Sequence, residues 1–375
     1  MRSYAETALL HAQARYQVVL DWSEQSLTRV DQILDHQRRG GEPAEQQSVA
    51  LCYGCWFGEI AIACWDGAWV GCHEPLPPRI VVAGRPCSPV DAVAARLRDS
   101  QQPTLVQLWG KLEKWHRQQT HAIQQAAAQN LVAWDVLATD QRFTVPHDAF
   151  AELPKTQDAR AAIDPWLHEL FETNAKLLLL AAGGGTHSVL HAVAGFEVTV
   201  LDISPAMLAR DAQLARQLGL PIHVRKGALS DLSMFPTGGF DVVVQPVSSC
   251  YLPDLATMYR QVASVLRPGG IYTVQHKQPA SLQATGSPAG KYQLTKPLFF
   301  ALPVCRDSQQ DQQLEPDTIE FIHPLETLLG DLCRSGFVIE DVAEPPRADA
   351  WALPGSAAER ACFLPPYLRV KARRR

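Results

Sequence analysis

Apolar positions along this chain change rhythm near its middle. Over residues 4–37, Leu20, Leu27, Val30 and Leu34 fall at spacings that share one helical face, and Arg39-Gly-Gly-Glu-Pro43 ends that helix. Residues 48–71 then crowd Val49, Leu51, Trp56, Ile60, Ile62, Trp65 and Trp69 into a strand-like stretch. Asp66-Gly67 reads as its hairpin turn, because both positions tolerate positive φ. A further strand at Ile80–Val82 leads to Ser88-Pro89, an N-cap and first helical position for residues 89–98. Another helix covers about 104–127. Residues 1–125 therefore read as a small α+β domain.

From residue 176 strands and helices alternate. Leu177–Leu180 is a four-leucine run suited to a strand buried on both faces. Glu197–Leu201, Ile222–Val224, Val242–Val244 and Ile271–Val274 follow as short apolar runs, with helices at about 186–194, 205–218 and 254–266. That alternation specifies a doubly wound, Rossmann-like α/β domain over residues 126–375, with a mostly parallel sheet.

Composition narrows the function. Hydrophobic residues make up 46% of 375, enough for real cores, and the net charge of −5 gives no electrostatic reason to expect nucleic acid. The basic tail Lys371–Arg375 reads as a frayed, solvated terminus. No apolar run approaches the roughly 18–20 residues of a membrane span, and the N-terminus shows no signal-peptide core. Nine scattered cysteines argue against a disulfide framework, so a cytoplasmic protein with reduced thiols is expected. Cys52, Cys55, Cys64, Cys72, His73 and Cys87 have zinc-ligand chemistry, but without a second paired knuckle the cysteines read as small buried hydrophobes, and no metal is expected. Gly286–Lys291 imitates a phosphate loop, one residue short and without the following Ser/Thr.

The chemistry-bearing segment is Leu180-Ala-Ala-Gly-Gly-Gly-Thr-His-Ser188, between the leucine strand and a helix. Glycines there let the backbone turn tightly and approach a ligand resting on the helix N-terminus. Asp202 closes the second strand 17 residues after Gly185, where a carboxylate accepts from ribose hydroxyls of an adenosine-containing ligand. The plain alternative makes Gly183–Gly185 a strand-to-helix turn and Asp202 a helix-entry residue. A nicotinamide dinucleotide needs glycine where Ser188 stands, which counts against a nicotinamide-dependent oxidoreductase.

Gly183-x-Gly185, VTVLDISPAMLARD (198–211), FDVVV (240–244) and VLRPGG (265–270) together resemble the ordered signature of class I S-adenosylmethionine-dependent methyltransferases. The chain is similar in more detail to an uncharacterised bacterial branch of that family. Asn130-Leu-Val-Ala-Trp-Asp135 with Ala138, QPVSSCYLPD (245–254) and Glu320-Phe-Ile-His-Pro-Leu-Glu326 match its motifs. The resemblance implies binding of S-adenosylmethionine and transfer of its methyl group to a small-molecule acceptor. Ala181, Gly183, Gly185, Asp202, Ile203, Asp231 and Gln245 form the implied cofactor-binding set. Residues 245–254 would floor the acceptor pocket, and the insertion at 277–316 would be its lid.

Departures from the family keep a rival open. Leu179 and Ala228 stand where acids are common, which favours a non-catalytic S-adenosylmethionine-binding or regulatory module. Asp231 either contacts adenine or is a loop acid accepting backbone N–H groups. On the acceptor side His323, with Glu320 as second candidate, lies just ahead of a helix starting at Pro324. Histidine titrates near neutrality and suits a general base; the plain alternative is a helix-entry residue. The segment 53–70 also resembles small bacterial domains of unknown function that carry a YxGE strand.

Overall fold

A computed structural model describes residues 1–65, 67–70, 78–82, 85–145, 155–286, 291–296, 298, 303–304 and 315–375. The chain forms two compact units, one of Met1–Ala122 and Phe299–Ala301, the other of Ile123–Leu298 and Leu302–Arg375.

The first unit contains helices α1 (Arg2–Tyr16), α2 (Leu27–Gly40) and α3 (Pro43–Trp65). Strands β1 (Ala68–Val70), β2 (Arg79–Val82) and β3 (Arg85–Cys87) form an antiparallel sheet ahead of α4 (Pro89–Arg98). Helix α5 (Leu105–Leu137) begins in this unit and continues to Leu137 rather than ending near 127. The single helix expected over 4–37 is two. Gln17 takes a left-handed φ of 58°, and Asp21 Oδ1 accepts from the Ser23 and Ser26 hydroxyls at 2.6 and 2.8 Å. Such local side-chain bonds compete with the helical ladder and break it.

The strand-like stretch at 48–71 is a larger correction, since residues 43–65 are helical. Val49, Tyr53, Trp56, Phe57 and Ile60 are all buried, and their spacing of three and four is a helical one. A helix that is apolar nearly all round belongs inside a core, and there aromatic and β-branched content misleads. At Gly54 a Cβ would lie 2.5 Å from Val90 Cα, so glycine permits close approach of α4. By length and composition α3 also suffices to cross a membrane, contrary to the expectation that no such segment exists, yet 61% of that stretch is buried in the protein. Cys52 and Cys55 lie on this helix, and the expected Asp66 turn and Cys72-His73 fall outside the described residues. Among the described residues no group of three His, Cys, Asp or Glu is placed to hold a metal.

The second unit follows the expected alternation. After α6 (Thr156–Ala162) come β4 (Lys176–Leu180), α7 (Thr186–Ala194), β5 (Glu197–Asp202), α8 (Pro205–Leu218), β6 (Ile222–Lys226), β7 (Phe240–Gln245), α9 (Leu255–Val265) and β8 (Leu266–Lys277). Short elements follow: α10 (Pro279–Gln283), β9 (Ala284–Gly286), β10 (Tyr292–Leu294), β11 (Pro303–Val304) and β12 (Glu320–Phe321). A wide helical turn at Glu326–Gly330 runs into α11 (Asp331–Arg334), then β13 (Phe337–Ala343), α12 (Ala357–Ala361) and β14 (Tyr367–Arg374). The sheet order is β13-β14-β8-β7-β4-β5-β6, with β4 to β8 parallel and β14 antiparallel to both neighbours. Strand order reverses between β4 and β7, which opens a crevice at their carboxyl ends.

The basic tail is not frayed. Leu368, Val370 and Ala372 are buried as one face of β14, and the alternate residues meet acids. Lys371 Nζ lies 3.3 Å from Glu340 Oε2, Arg373 Nη2 lies 3.2 Å from Glu169 Oε1, and the Arg369 guanidinium stacks 4.5 Å from the Trp166 ring. A period-two pattern hidden under charge is a strand when its charges are matched.

The sheet takes every strand from residues beyond 175, so a fragment of residues 126–375 should fold by itself. It is expected to show near-native far-ultraviolet circular dichroism and one cooperative thermal transition. A molten fragment without such a transition would mean that the sheet depends on residues 1–125.

Candidate functional site

The crevice is organised by a glycine loop whose amides end on carboxylates. Ala181 leaves β4 at φ 48° and donates its N–H to Leu201 O at 2.8 Å, so the turn stays tied to β5. Gly183 N–H donates to Asp202 Oδ2 at 3.0 Å and Gly184 N–H to Asp211 Oδ2 at 2.9 Å. A side chain fits at neither position. A Cβ on Gly183 would lie 2.6 Å from Met207 Cβ, and on Gly184, at φ 107°, 2.3 Å from Phe143 O. Gly185, at φ 98°, is the N-cap of α7.

Asp202 is buried, and burial raises its pKa against hydrogen bonds from the backbone of Ser204, Gly183 and Ile203. Its Oδ1 accepts from Ser204 N–H at 2.9 Å. Both oxygens are thus oriented by backbone amides at the mouth of the crevice. Asp211 is fully buried, and its Oδ1 accepts the Ser188 hydroxyl proton at 2.5 Å. Burial pushes its pKa up to about 6 against the Ser188 and Gly184 hydrogen bonds, and the Asp202 charge adds to the rise.

A cavity of about 160 Å³ opens beside this loop. Ala181, Gly183, Asp202 and Ile203 line it, as do residues 227–230 after β6. Val247, Ser248, Tyr251 and Leu252 come from the segment after β7, and Ala127, Asn130 and Trp134 from α5. The α5 end is pinned over this site. Asn130 donates to Ile319 O at 2.9 Å and accepts from Ile319 N–H at 2.7 Å, as a neighbouring strand would. Asp135 Oδ1 accepts from the Ser204 hydroxyl at 2.5 Å and from Ala206 N–H at 3.3 Å.

Four residues of the expected cofactor set thus meet in one cavity: Ala181, Gly183, Asp202 and Ile203. Gly185 shapes the turn without lining it. Asp231 lines no part of it either: exposed, it accepts Ser233 N–H at 3.0 Å, which is the loop-acid role. Hydrogen bonds from Ser233 hold its pKa low. Gln245 is buried beneath the segment after β7, donating to Ser248 Oγ at 2.9 Å and accepting from Tyr272 Oη at 2.5 Å, so its amide is already committed.

The acceptor-side candidates are also placed differently from expectation. Neither His323 nor Glu320 lines the cavity. His323 is buried with Nε2 2.8 Å from Leu252 O, and burial lowers its pKa to about 4 despite hydrogen bonding to the backbone at Leu252 and Ser249. A group that is neutral and a weak base at pH 7 is a poor proton acceptor. His276, from β8, pairs with Ser249 Oγ at 2.7 Å, and burial followed by the neighbouring His323 lowers it to about 3. The two imidazoles hold the segment after β7 from behind. Glu320 is fully buried and ion-paired to Lys277, which also lies 2.8 Å from Glu315. Much of the expected lid at 277–316 lies outside the described residues. The motifs had displayed Asp135 and Asp211, but nothing in their spacing marked them as braces.

Residues 177–270 match the family model described as a methyltransferase domain. The chain is similar to an uncharacterized methyltransferase of Bacillus subtilis, 30% identical over 168 residues, 44% of this chain and 66% of that protein. It is 30% identical over 96 residues to the ubiquinone biosynthesis O-methyltransferase of Xanthomonas axonopodis pv. citri, 26% of this chain and 40% of the relative. The chain thus spans less than two thirds of the length of either relative. A solved S-adenosylmethionine-dependent methyltransferase from Mesorhizobium loti covers 56% of this chain and 97% of its own, at 24% identity and a TM-score of 0.44.

Two outcomes test this geometry. Asp211 titrates higher in the fold than its ordinary 3.8, so it stabilises the protein below that value and the benefit is lost as pH rises through about 6. Asp211→Asn should therefore gain on the parent by up to about 3 kcal/mol between pH 4 and pH 7 in urea denaturation. Parallel stability curves would show that Asp211 does not carry this proton. His323→Ala should lose about 1–3 kcal/mol of stability, because the Leu252 carbonyl loses its donor. An unchanged midpoint with turnover down about 10²–10⁴-fold would instead make His323 the base.

Proposed function

We propose that this chain, whose residues 177–270 match a methyltransferase domain, is a class I methyltransferase that transfers a methyl group from S-adenosylmethionine to a small-molecule acceptor. The observation that carries the reading is Asp202, a buried carboxylate at the crevice end of β5 that shares one cavity with the glycine loop. Its two oxygens are oriented by Gly183 and Ser204 amides and suit the paired hydroxyls of a ribose. Ile203, Ala228 and Leu229 line the same cavity and are apolar residues suited to adenine. Bound S-adenosylmethionine supplies a methyl already activated by its sulfonium charge. The protein's own contribution is alignment, which supplies about 7–11 kcal/mol when the reacting atoms are well oriented. The pinned α5 and the segment held by His276 and His323 are fixed walls for that purpose.

A second reading, binding without transfer, is favoured by one feature. Ala228 lines the cavity where a carboxylate is common, and Asp231 does not replace it. Calorimetric titration with S-adenosylmethionine and S-adenosylhomocysteine, followed by radiolabelled methyl transfer to candidate acceptors, separates the two.

Asp202→Ala should weaken S-adenosylmethionine binding by about 1.5–3 kcal/mol, roughly 10- to 150-fold in Kd, through loss of charge-assisted hydrogen bonds. Unchanged affinity in a folded variant would remove the ribose from Asp202.

A further inference from the structure

The cavity has two sides of different chemistry. One is the glycine loop, Asp202 and residues 227–230, which the cofactor takes on the reading above. The other is built from Trp134, Val247, Tyr251 and Leu252, together with Asn130 and Ser248.

On this second side the rings are fixed. Trp134 meets Tyr251 edge to face at 5.7 Å and 77°, and meets Phe143 at 5.3 Å and 83°. A ring held by perpendicular neighbours on two sides, as Trp134 is, keeps a fixed orientation. The Asn130 and Ser248 side chains there are spent. Asn130 commits both polar atoms to the Ile319 backbone, and Ser248 Oγ accepts from Gln245 Nε2 and donates to Pro246 O at 3.2 Å. Among the described lining residues there is no Lys, Arg, His or Glu, and Asp202 is the one carboxylate. The buried charges of Lys277, Glu315 and Glu320 pair among themselves and line no part of the cavity.

We infer that the methyl acceptor is an uncharged, planar, apolar molecule that stacks its aromatic face on Trp134 and turns an edge to Tyr251. The inference rests on the cofactor reading and adds the acceptor's class. An ion entering this side exchanges its water for carbon and committed side chains, with no counter-ion among the described residues of that side to repay it. A flat apolar ring loses nothing by the same transfer and gains ring contacts.

Protein saturated with S-adenosylhomocysteine provides the test, with 2-naphthol, 2-naphthoate and 2-naphthylmethylammonium titrated separately at pH 7. The naphthol should bind about tenfold or more tighter than either ion, because only the ions are desolvated without a partner. Trp134→Ala should cost the naphthol roughly tenfold, while Trp134→Phe, which keeps a ring face, costs about threefold or less. Either ion binding as well as the naphthol would overturn the inference, as would naphthol affinity indifferent to Trp134→Ala. If that variant fails to fold, the ion ratios and Trp134→Phe still decide. S-adenosylhomocysteine failing to bind would remove the cofactor reading itself, whereas its binding alongside preferred ions removes the acceptor class alone.

Discussion

Two consecutive amides, Gly183 and Gly184, each donate to a buried carboxylate, and the site is arranged around that pair of bonds. Buried acids are expensive, and both Asp202 and Asp211 are shifted toward the neutral form by burial. What they provide is a loop whose backbone has no freedom to collapse into the crevice. With Gly183 pulled toward β5 and Gly184 toward α8, the crevice stays open at the point where strand order reverses. Ser188 belongs to the same arrangement, because its hydroxyl satisfies the second oxygen of Asp211. A residue that counts against a nicotinamide dinucleotide thus has its own structural reason.

The walls above the loop are held by the same kind of bond. Asn130 imitates a strand neighbour for Ile319, and Asp135 joins α5 to Ser204 at the corner where Asp202 also accepts. Asp135 and Asp202 are electrostatically coupled, and Asp135 contributes to the raised pKa of Asp202. Behind the segment after β7, neutral His276 and His323 support residues 249–252 rather than facing the cavity. Neutral rings are cheap to bury and still bond, which suits a wall better than a base.

The α/β core was legible because its signals are local and agree. The leucine strand needs burial on both faces, Ser204-Pro205 caps α8, and the helices at 186–194 and 205–218 end where glycine follows. The meeting of the glycine loop and Asp202 in one crevice was legible for the same reason, since both end strands at the same edge of the sheet. The failures have a common cause: the decisive partner lies far away in sequence. Helix α3 read as strand because tertiary packing of aromatics overrides their propensity. Strand β14 read as a frayed tail because Glu340 and Glu169 were not visible as its partners. His323 invited a catalytic role because only folding shows Leu252 O against its ring.

The most direct measurement is a crystal structure of the protein with S-adenosylhomocysteine. The ribose hydroxyls should lie within about 3 Å of Asp202, with the Gly183 and Gly184 amides still on Asp202 and Asp211. A nucleoside bound elsewhere, or a glycine loop that abandons either carboxylate to accept it, would contradict the central claim.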